Sequence, residues 1–119
     1  MTVERISSPA LERIIRGRIA EEATIVIKFY SNDCYLCHGL REPYEDISNQ
    51  YDDVLFFAFN ILDHDDLDSV FPVDGTPSIC LIKTGPRLKI TTLLDPEKPD
   101  ETMWFTPQQI KNFIDKEKR

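Results

Sequence analysis

Two cysteines three residues apart, Cys34 and Cys37, stand where one kind of hydrophobic pattern gives way to another. The run before them, 24–30, is short, nearly continuous and rich in β-branched and aromatic residues, as expected for a central strand that is covered on both faces. The segment after them has apolar residues at helical spacing, namely Leu36, Leu40, Tyr44, Ile47 and Tyr51. The chain is therefore predicted to run from a buried strand, through a polar loop, into a helix that opens at the cysteine pair.

The position of the pair gives its sulfurs a defined chemistry. At a helix N-terminus, free backbone N–H groups and the helix dipole stabilise a thiolate on the first cysteine. Three-residue spacing lets the second thiol reach back to that sulfur within one turn. The pair can therefore attack a disulfide, form a mixed disulfide and resolve it internally, which predicts a redox site at Cys34 and Cys37.

The other patterns predict an α/β domain around this pair. Ser8-Pro9 is expected to open a first helix as N-cap and first-turn proline, and Pro43 is expected to kink or break the helix after the cysteines. Further strands are predicted at 54–60, 78–83 and 88–94, a short helix at 65–71, and a last helix that begins at Thr106-Pro107. A β-α-β crossover followed by an antiparallel hairpin implies a mixed sheet with helices on both faces.

Composition and charge limit the class of partner. The chain has 119 residues, 41% hydrophobic and 29% charged, which is enough for one globular core. Fourteen basic and 21 acidic residues give a net charge of −7, which argues against nucleic acid because phosphate neutralisation needs a basic surface. No apolar run approaches the ~20 residues of a membrane helix, and the first residues do not form a secretory signal. We expect a single domain over 1–119, monomeric and cytoplasmic, with no nucleic-acid or membrane partner.

From about Thr24 to its end, the sequence resembles the thioredoxin family. Besides the cysteine pair, three features match the family in order and spacing: Phe59-Asn60-Ile61 at a strand end, Val73-Asp74-Gly75-Thr76-Pro77 before a strand, and Thr84-Gly85 followed by the 106–110 helix start. The resemblance implies a thioredoxin fold and a thiol–disulfide oxidoreductase that needs no metal or organic cofactor. Its partners would be disulfide-containing proteins and a reductant, either thioredoxin reductase or glutathione.

The resemblance also assigns roles to individual residues. Cys34 would be the nucleophile and Cys37 the resolving thiol. Pro77 would follow a cis peptide bond that holds the backbone of Thr76 beside Cys34, where an extended substrate can pair with it, although a trans proline at a strand start is the ordinary alternative. The implied substrate-binding residues are Tyr35, Leu36, Thr76, Pro77 and Trp104.

The motif itself departs from the family pattern. Asp33 stands where the family usually has Trp, and Tyr35-Leu36 replaces Gly-Pro between the cysteines. Unlike proline, Leu36 has a backbone N–H, which we expect to point at the Cys34 sulfur and stabilise its thiolate. Asp33 opposes this effect but is expected to be solvated, so the sequence predicts a mildly raised reduction potential.

Lys28 is the most unusual departure. It lies six residues before Cys34, where the family typically buries an acid, and Ala58 occupies the place of that acid's lysine partner. A buried Lys28 would either accept the Cys37 proton or, as a cation, lower the pKa of that thiol. The alternative is that its ammonium reaches solvent and has no role.

The acidic segment 95–102 looks like an insertion relative to a typical thioredoxin. It precedes Met103-Trp104-Phe105, which would occupy a loop beside the active cysteines. Trp104 would then either reshape the substrate surface, in place of the missing Trp, or pack beneath the last helix.

The same residues have other interpretations. Cys34 to His38 spells the c-type haem attachment pattern, for which Met103 or His64 would have to supply the distal ligand. Zinc would need Cys80 and His64 beside the pair, although Cys80 lies in an apolar strand and is expected to be an inert core residue. A different class of function is a docking subunit in which the fold binds a partner and the thiols are redox-inactive.

Overall fold

The computed structural model describes residues 3–63 and 75–119. In chain order these residues form β1 (Val3–Arg5), α1 (Ser8–Ile15), β2 (Thr24–Tyr30), α2 (Tyr35–Ser48), β3 (Leu55–Asn60), a 3-10 turn (Ile61–Asp63), β4 (Ser78–Lys83), β5 (Lys89–Thr92) and α3 (Pro107–Glu117). The short helix predicted at 65–71, His64 and the first two residues of the Val73–Pro77 motif lie outside the described residues. No helix within the two described ranges is long and apolar enough to cross a membrane.

The strands form one mixed sheet in the order β1-β3-β2-β4-β5. β3 is parallel to both β1 and β2, whereas β4 runs antiparallel to β2 and β5 antiparallel to β4. The predicted crossover and hairpin are confirmed. Strand β1 was not predicted, because its three residues carry no periodic pattern and become a strand only by pairing with β3, in the register Val3 to Phe56.

Helices cover both faces of this sheet, as the sequence predicts. Successive residues of β2 point to opposite faces, so a strand between two helical layers must be apolar throughout. The α1 side holds Leu11, Ile14, Ile25, Ile27, Phe29, Phe59, Cys80 and Ile82. The side of α2 and α3 holds Val26, Leu40, Tyr44, Ile47, Phe56, Ile79, Leu81, Ile110, Phe113 and Ile114. The redox motif therefore sits at the end of a strand that both layers hold in place.

Helix α1 begins one residue earlier than predicted. The N-cap is Ser7 rather than Ser8, because the Ser7 hydroxyl accepts the backbone N–H of Ala10 at 3.3 Å. Helix α1 ends at Ile15, and Gly17 follows with a φ of +71°, which favours glycine and turns the chain away. Thr106 caps α3 as predicted, in a reciprocal capping box with Gln109.

Helix α2 runs through Pro43 without a break. Proline removes one helical hydrogen bond, so a break was a reasonable expectation. Buried side chains on both sides of Pro43 hold the helix on the sheet, including Leu40 and Tyr44, which are fully buried, and Ile47. Tertiary packing thus outweighs the local preference, and α2 remains one continuous platform for the cysteine pair.

Candidate active site

Cys34 and Cys37 form a disulfide at the N-terminus of α2, with their Cα atoms 5.2 Å apart. Cys34 is the N-cap residue, and its Sγ accepts the backbone N–H of Cys37 at 3.0 Å. The polar loop prepares this geometry because the N–H of Cys34 donates to the carbonyl of Ser31 at 3.3 Å. A cysteine thus takes the place of the serine or threonine that usually caps a helix.

The two cysteines differ in exposure. Cys34 is half-buried, whereas Cys37 is 4% exposed. A disulfide partner arriving from outside can therefore reach Cys34 first, and Cys37 can act only on a sulfur already held at the helix end. This asymmetry matches the order of attack that a nucleophilic and a resolving thiol require.

The prediction that the Leu36 N–H points at the Cys34 sulfur is wrong. The amide that contacts this sulfur belongs to Cys37. An N-cap side chain accepts a hydrogen bond from the N–H of the third helical residue. Because the helix begins at Tyr35, this residue is Cys37. The prediction of a raised reduction potential therefore lacks the donor on which it rested. Asp33 is exposed, as expected.

The Thr76-Pro77 peptide bond is cis. Strand β4 begins directly after it, and the register of Phe29 with Ser78 places Pro77 at the carboxyl end of β2, the end that leads to the cysteines. A groove of about 220 Å³ lies here, lined by Gly75, Thr76, Pro77, Ser78, Thr92, Leu93, Leu94, Asp95 and Trp104. Trp104 is thus brought together with Thr76 and Pro77, while it also packs against the core on the α3 side.

The acidic loop, residues 95–102, has a defined conformation. Asp100 and Trp104 exchange two backbone hydrogen bonds of 2.9 and 3.0 Å. Oδ1 of Asp100 accepts the backbone N–H of Thr102 at 2.8 Å, its hydroxyl at 2.6 Å and the N–H of Met103 at 3.2 Å, and these bonds lower the pKa of Asp100. Trp104 has a φ of +66°, and its indole N–H donates to Oδ1 of Asp95 at 3.1 Å.

Gly39 joins this loop to the active-site helix. A Cβ atom added at Gly39 would lie 1.7 Å from the carbonyl oxygen of Thr102, so the loop approaches α2 at a point where only glycine fits. The role of Gly39 was not predicted from the sequence. Its signal was a glycine inside a helical pattern, which marks a close approach of another backbone.

A second unpredicted feature is a polar network that holds the loop before the cysteines. Asn60 is buried at the end of β3, and its side-chain amide donates to Oδ1 of Asn32 at 3.1 Å. The backbone carbonyl of Asn32 accepts the Nε2–H of His38 at 3.0 Å. The 3-10 turn is tied in as well, since the N–H of Leu62 donates to Oδ1 of Asn60 at 3.1 Å. The network fixes the 31–34 turn to β3 and α2.

Lys28 lies on the face of the sheet that α2 covers. It is 5% exposed and adjacent in register to Ala58, and its Nζ lies 4.9 Å from the ring centroid of Tyr44. Burial, assisted by the charge of Arg41 and opposed by that of Glu45, lowers the pKa of Lys28 to about 8. An ammonium reaching bulk solvent does not match this placement.

Lys28 and Cys37 line the same cavity of about 360 Å³. Its other charged or titratable lining residues are Arg5, Tyr30, His38, Arg41, Tyr44 and Glu45. The structure therefore brings the unusual lysine and Cys37 to the same cavity.

Cys80 is separate from the pair. It is fully buried, its Sγ lies 3.4 Å from the Thr92 hydroxyl, and burial raises the pKa of its thiol to about 12. Within residues 3–63 and 75–119, no group of three or more His, Cys, Asp or Glu side chains is placed to hold a metal ion. Cys80 is a buried core residue, as predicted, and His64, the other zinc ligand considered from the sequence, lies outside the described residues.

Comparison with known proteins agrees with this geometry. The family described as Thioredoxin matches residues 9–101, and no curated protein sequence matches the chain. Chloroplastic thioredoxin z superposes with a TM-score of 0.69 at 21% identity, over 98% of this chain and 94% of that one. Thioredoxin from Malassezia sympodialis gives 0.71 at 16% identity, over 100% and 96%.

A third similar structure is the J-Trx1 fragment of ERdj5, with a TM-score of 0.68 and 15% identity. The match covers 97% of this chain and 49% of that fragment. At these identities the likeness concerns the fold alone, and it confirms the fold class predicted from the sequence.

Proposed function

The chain belongs to the thioredoxin family, and on that premise we propose that it is a thiol–disulfide oxidoreductase that reduces or exchanges disulfides of protein substrates. The observation that carries the proposal is the placement of the disulfide. Cys34 is half-buried and its sulfur accepts a backbone N–H at the start of α2, while Cys37, to which it is bonded, is buried. The family supports the general activity, and the substrate class follows from the roles argued below.

The reaction begins with the reduced pair. The Cys34 thiolate attacks one sulfur of a substrate disulfide, so that a Cys34–substrate disulfide forms and the other substrate sulfur leaves as a thiolate. Cys37, as thiolate, then attacks Sγ of Cys34. The internal disulfide forms, and the second substrate sulfur leaves and takes up a proton. Two electrons pass to the substrate, and an external thiol reductant must return the pair to the dithiol.

Backbone groups favour the first step. The Cys37 N–H already points at the Cys34 sulfur, and the free N–H groups of the first turn of α2 place partial positive charge there. Both interactions are stronger with a thiolate than with a thiol, so they stabilise the thiolate of Cys34 in the reduced protein. Asp33 disfavours that thiolate, but its exposed carboxylate is screened by water.

Lys28 assists the second step in this proposal. Cys37 is buried, so its thiolate is costly unless a nearby group compensates. The Lys28 amine lines the same cavity and has a pKa of about 8, so both of its protonation states are populated near that pH. As a cation it stabilises the Cys37 thiolate, and as a neutral amine it accepts the thiol proton. Either route raises the rate at which the mixed disulfide is resolved.

The groove beside Pro77 receives the substrate in this proposal. The backbone of Thr76 pairs with an extended segment around the substrate cysteine, while Trp104, Tyr35 and Leu36 provide apolar contact. Tyr35 is 68% exposed, which fits a contact surface. The proposal extends to a monomeric, cytoplasmic protein that is reduced by thioredoxin reductase or glutathione.

Insulin reduction with dithiothreitol tests the activity. The wild-type chain should accelerate insulin precipitation, and Cys34→Ser should fall to the uncatalysed rate. Cys80→Ser is the matched control, because Cys80 is buried away from the pair, and it should retain turnover in the fraction that folds. Equal rates for the wild type and Cys34→Ser would refute the proposal and leave the docking subunit as the better account.

A further inference from the structure

The groove beside Pro77 is lined by apolar side chains and by one carboxylate. Leu93, Leu94 and Trp104 supply the apolar part, and Leu94 is 84% exposed. Asp95 lies at the same groove and is exposed. The groove lies at the end of the sheet where β2 leads to the redox pair, because Ser78, which lines the groove, pairs with Phe29 near the end of β2.

The Asp95 carboxylate is held at the edge of an aromatic ring. The indole N–H of Trp104 donates to Oδ1 of Asp95 at 3.1 Å, which uses one of the roughly four acceptor positions of the carboxylate. A guanidinium or ammonium stacked on the indole face can reach the remaining positions, so one cation gains both a cation–π contact and a charge-assisted hydrogen bond. The exposed Leu94 offers contact to the methylene stem of the same side chain.

The acidic loop as a whole is negatively charged, like the Asp95 carboxylate, and therefore attracts cations. Residues 95–102 carry four carboxylates, those of Asp95, Glu97, Asp100 and Glu101, against the single cation Lys98, a net charge of −3. The conformation of the loop is set by its own hydrogen bonds, from Asp100 to Trp104 and from Thr102 to Asp100. The Asp95–Trp104 pair is therefore organised before a substrate arrives, which reduces the entropic cost of binding.

The residues on the opposite side of the cysteine pair carry mostly positive charge. The cavity beside Cys37 is lined by three permanent or partial cations, Arg5, Lys28 and Arg41, and one carboxylate, Glu45. A peptide lying across the cysteines therefore meets carboxylate on the Pro77 side and mostly cationic groups on the Cys37 side. The two sides select different side chains, and the Pro77 side is the one with an open groove next to the substrate backbone.

Resting on the function proposed above, we propose that Asp95 and Trp104 form a subsite for an arginine or lysine side chain near the disulfide cysteine of the substrate. The favoured substrate is an extended segment that pairs with the backbone of Thr76 and directs its basic side chain onto the indole. Asp95 then determines specificity without taking part in the transfer of electrons.

The test uses a set of short peptides whose single cysteine is carried as a mixed disulfide with 2-nitro-5-thiobenzoate. Attack by Cys34 forms a Cys34–peptide disulfide and releases the nitrothiobenzoate thiolate, whose colour reports the rate in a single turnover of pre-reduced protein. The peptides differ only in carrying Arg, Ala or Glu at the residue before or after the cysteine. The measured quantity is the second-order rate constant for each peptide.

We expect the arginine peptide to react about fivefold faster than the alanine peptide in at least one of the two positions, as for a partly exposed ion pair with an aromatic contact. The glutamate peptide should be slower than the alanine peptide, and the preference should shrink at high salt. In Asp95→Asn, which keeps the shape of the side chain, the arginine-to-alanine ratio should fall close to one. Glu97→Gln, which removes a charge of the same loop outside the groove, should keep most of the wild-type ratio.

Two outcomes overturn the subsite. One is an arginine-to-alanine ratio near one in the wild type, and the other is a ratio that Asp95→Asn and Glu97→Gln reduce equally, which would assign the effect to the general field of the loop. In both cases the alanine peptide is still attacked. If no peptide releases nitrothiobenzoate faster in the presence of wild-type protein than of Cys34→Ser, the proposed function has failed, and the two failures are thereby distinguished.

Discussion

The backbone carbonyl of Thr102 occupies the space where a side chain on Gly39 would begin, 1.7 Å from an ideal Cβ position. Gly39 belongs to the active-site helix and Thr102 to the acidic loop, so this contact sets how closely the loop approaches the cysteine pair. Because the neighbour is backbone and not a flexible side chain, it cannot give way by changing rotamer. The fit between helix and loop therefore depends on a missing methyl group.

Gly39→Ala should accordingly destabilise the fold, although alanine favours helix more than glycine does. Overpacking typically costs about 1–3 kcal/mol, which exceeds the gain of about 1 kcal/mol in helix propensity. We expect a lower urea midpoint and reduced insulin turnover. Gly75→Ala is the matched control for stability, since a Cβ there meets no atom within 4 Å and should leave the midpoint almost unchanged. A midpoint for Gly39→Ala at or above the wild-type value would contradict the contact.

The three cysteines should differ strongly in their reaction with iodoacetamide after reduction. Cys34 is half-buried and its thiolate is stabilised at the helix end, whereas Cys37 is 4% exposed. Cys80 has a pKa raised to about 12 and is fully buried. A short pulse near neutral pH, read by peptide mass spectrometry, should label Cys34 first and leave Cys80 unmodified until the protein is denatured. Labelling of Cys37 ahead of Cys34 would reverse the proposed order of attack.

The central strands and the cysteine pair were predictable because their signals are local. Strand β2 was predicted with its bounds, Thr24–Tyr30, since a continuous β-branched and aromatic run ends at polar residues. The pair was predictable because its motif follows a strand and opens a helix. Strand β1 was not predictable in this way, because its three residues are defined by pairing with β3 and not by a pattern of their own.

The surroundings of the pair were predicted less well because they depend on contacts between distant parts of the chain. Nothing local links Gly39 to Thr102 or Asn32 to Asn60, and each contact exists only after the sheet has formed. Lys28 was identified from its position relative to the motif, but its burial over Tyr44 required the structure. The sequence thus indicated which groups carry the chemistry, and the structure added what positions them.

Burial of Lys28 should make the stability of the oxidised protein depend on pH. Its pKa falls from 10.5 to about 8 on folding, so between these values the unfolded chain binds more protons than the folded one and stability rises with pH. Below pH 8 the full cost of burying the cation applies, on the order of 3 kcal/mol. Lys28→Met should therefore be more stable than the wild type at pH 7, by urea unfolding, and the difference should shrink towards pH 10. A difference that is constant over this range would contradict the lowered pKa.

The same substitution should slow the resolution of the mixed disulfide. On the role proposed for Lys28, the Lys28→Met variant lacks both a cation that stabilises the Cys37 thiolate and a base that takes the thiol proton. The internal attack on Cys34 should therefore be roughly 10²-fold slower near neutral pH, at the lower end of the usual range for general acid–base assistance. The measurement is the decay of a pre-formed Cys34–peptide disulfide over a range of pH. Formation of that disulfide by Cys37→Ser, with and without Lys28→Met, isolates the first step, which should change much less.

The Lys28→Arg variant separates the two routes, because arginine supplies the charge but cannot accept a proton. Wild-type rates and an unchanged pH profile in Lys28→Met would show that Lys28 has no part in the reaction.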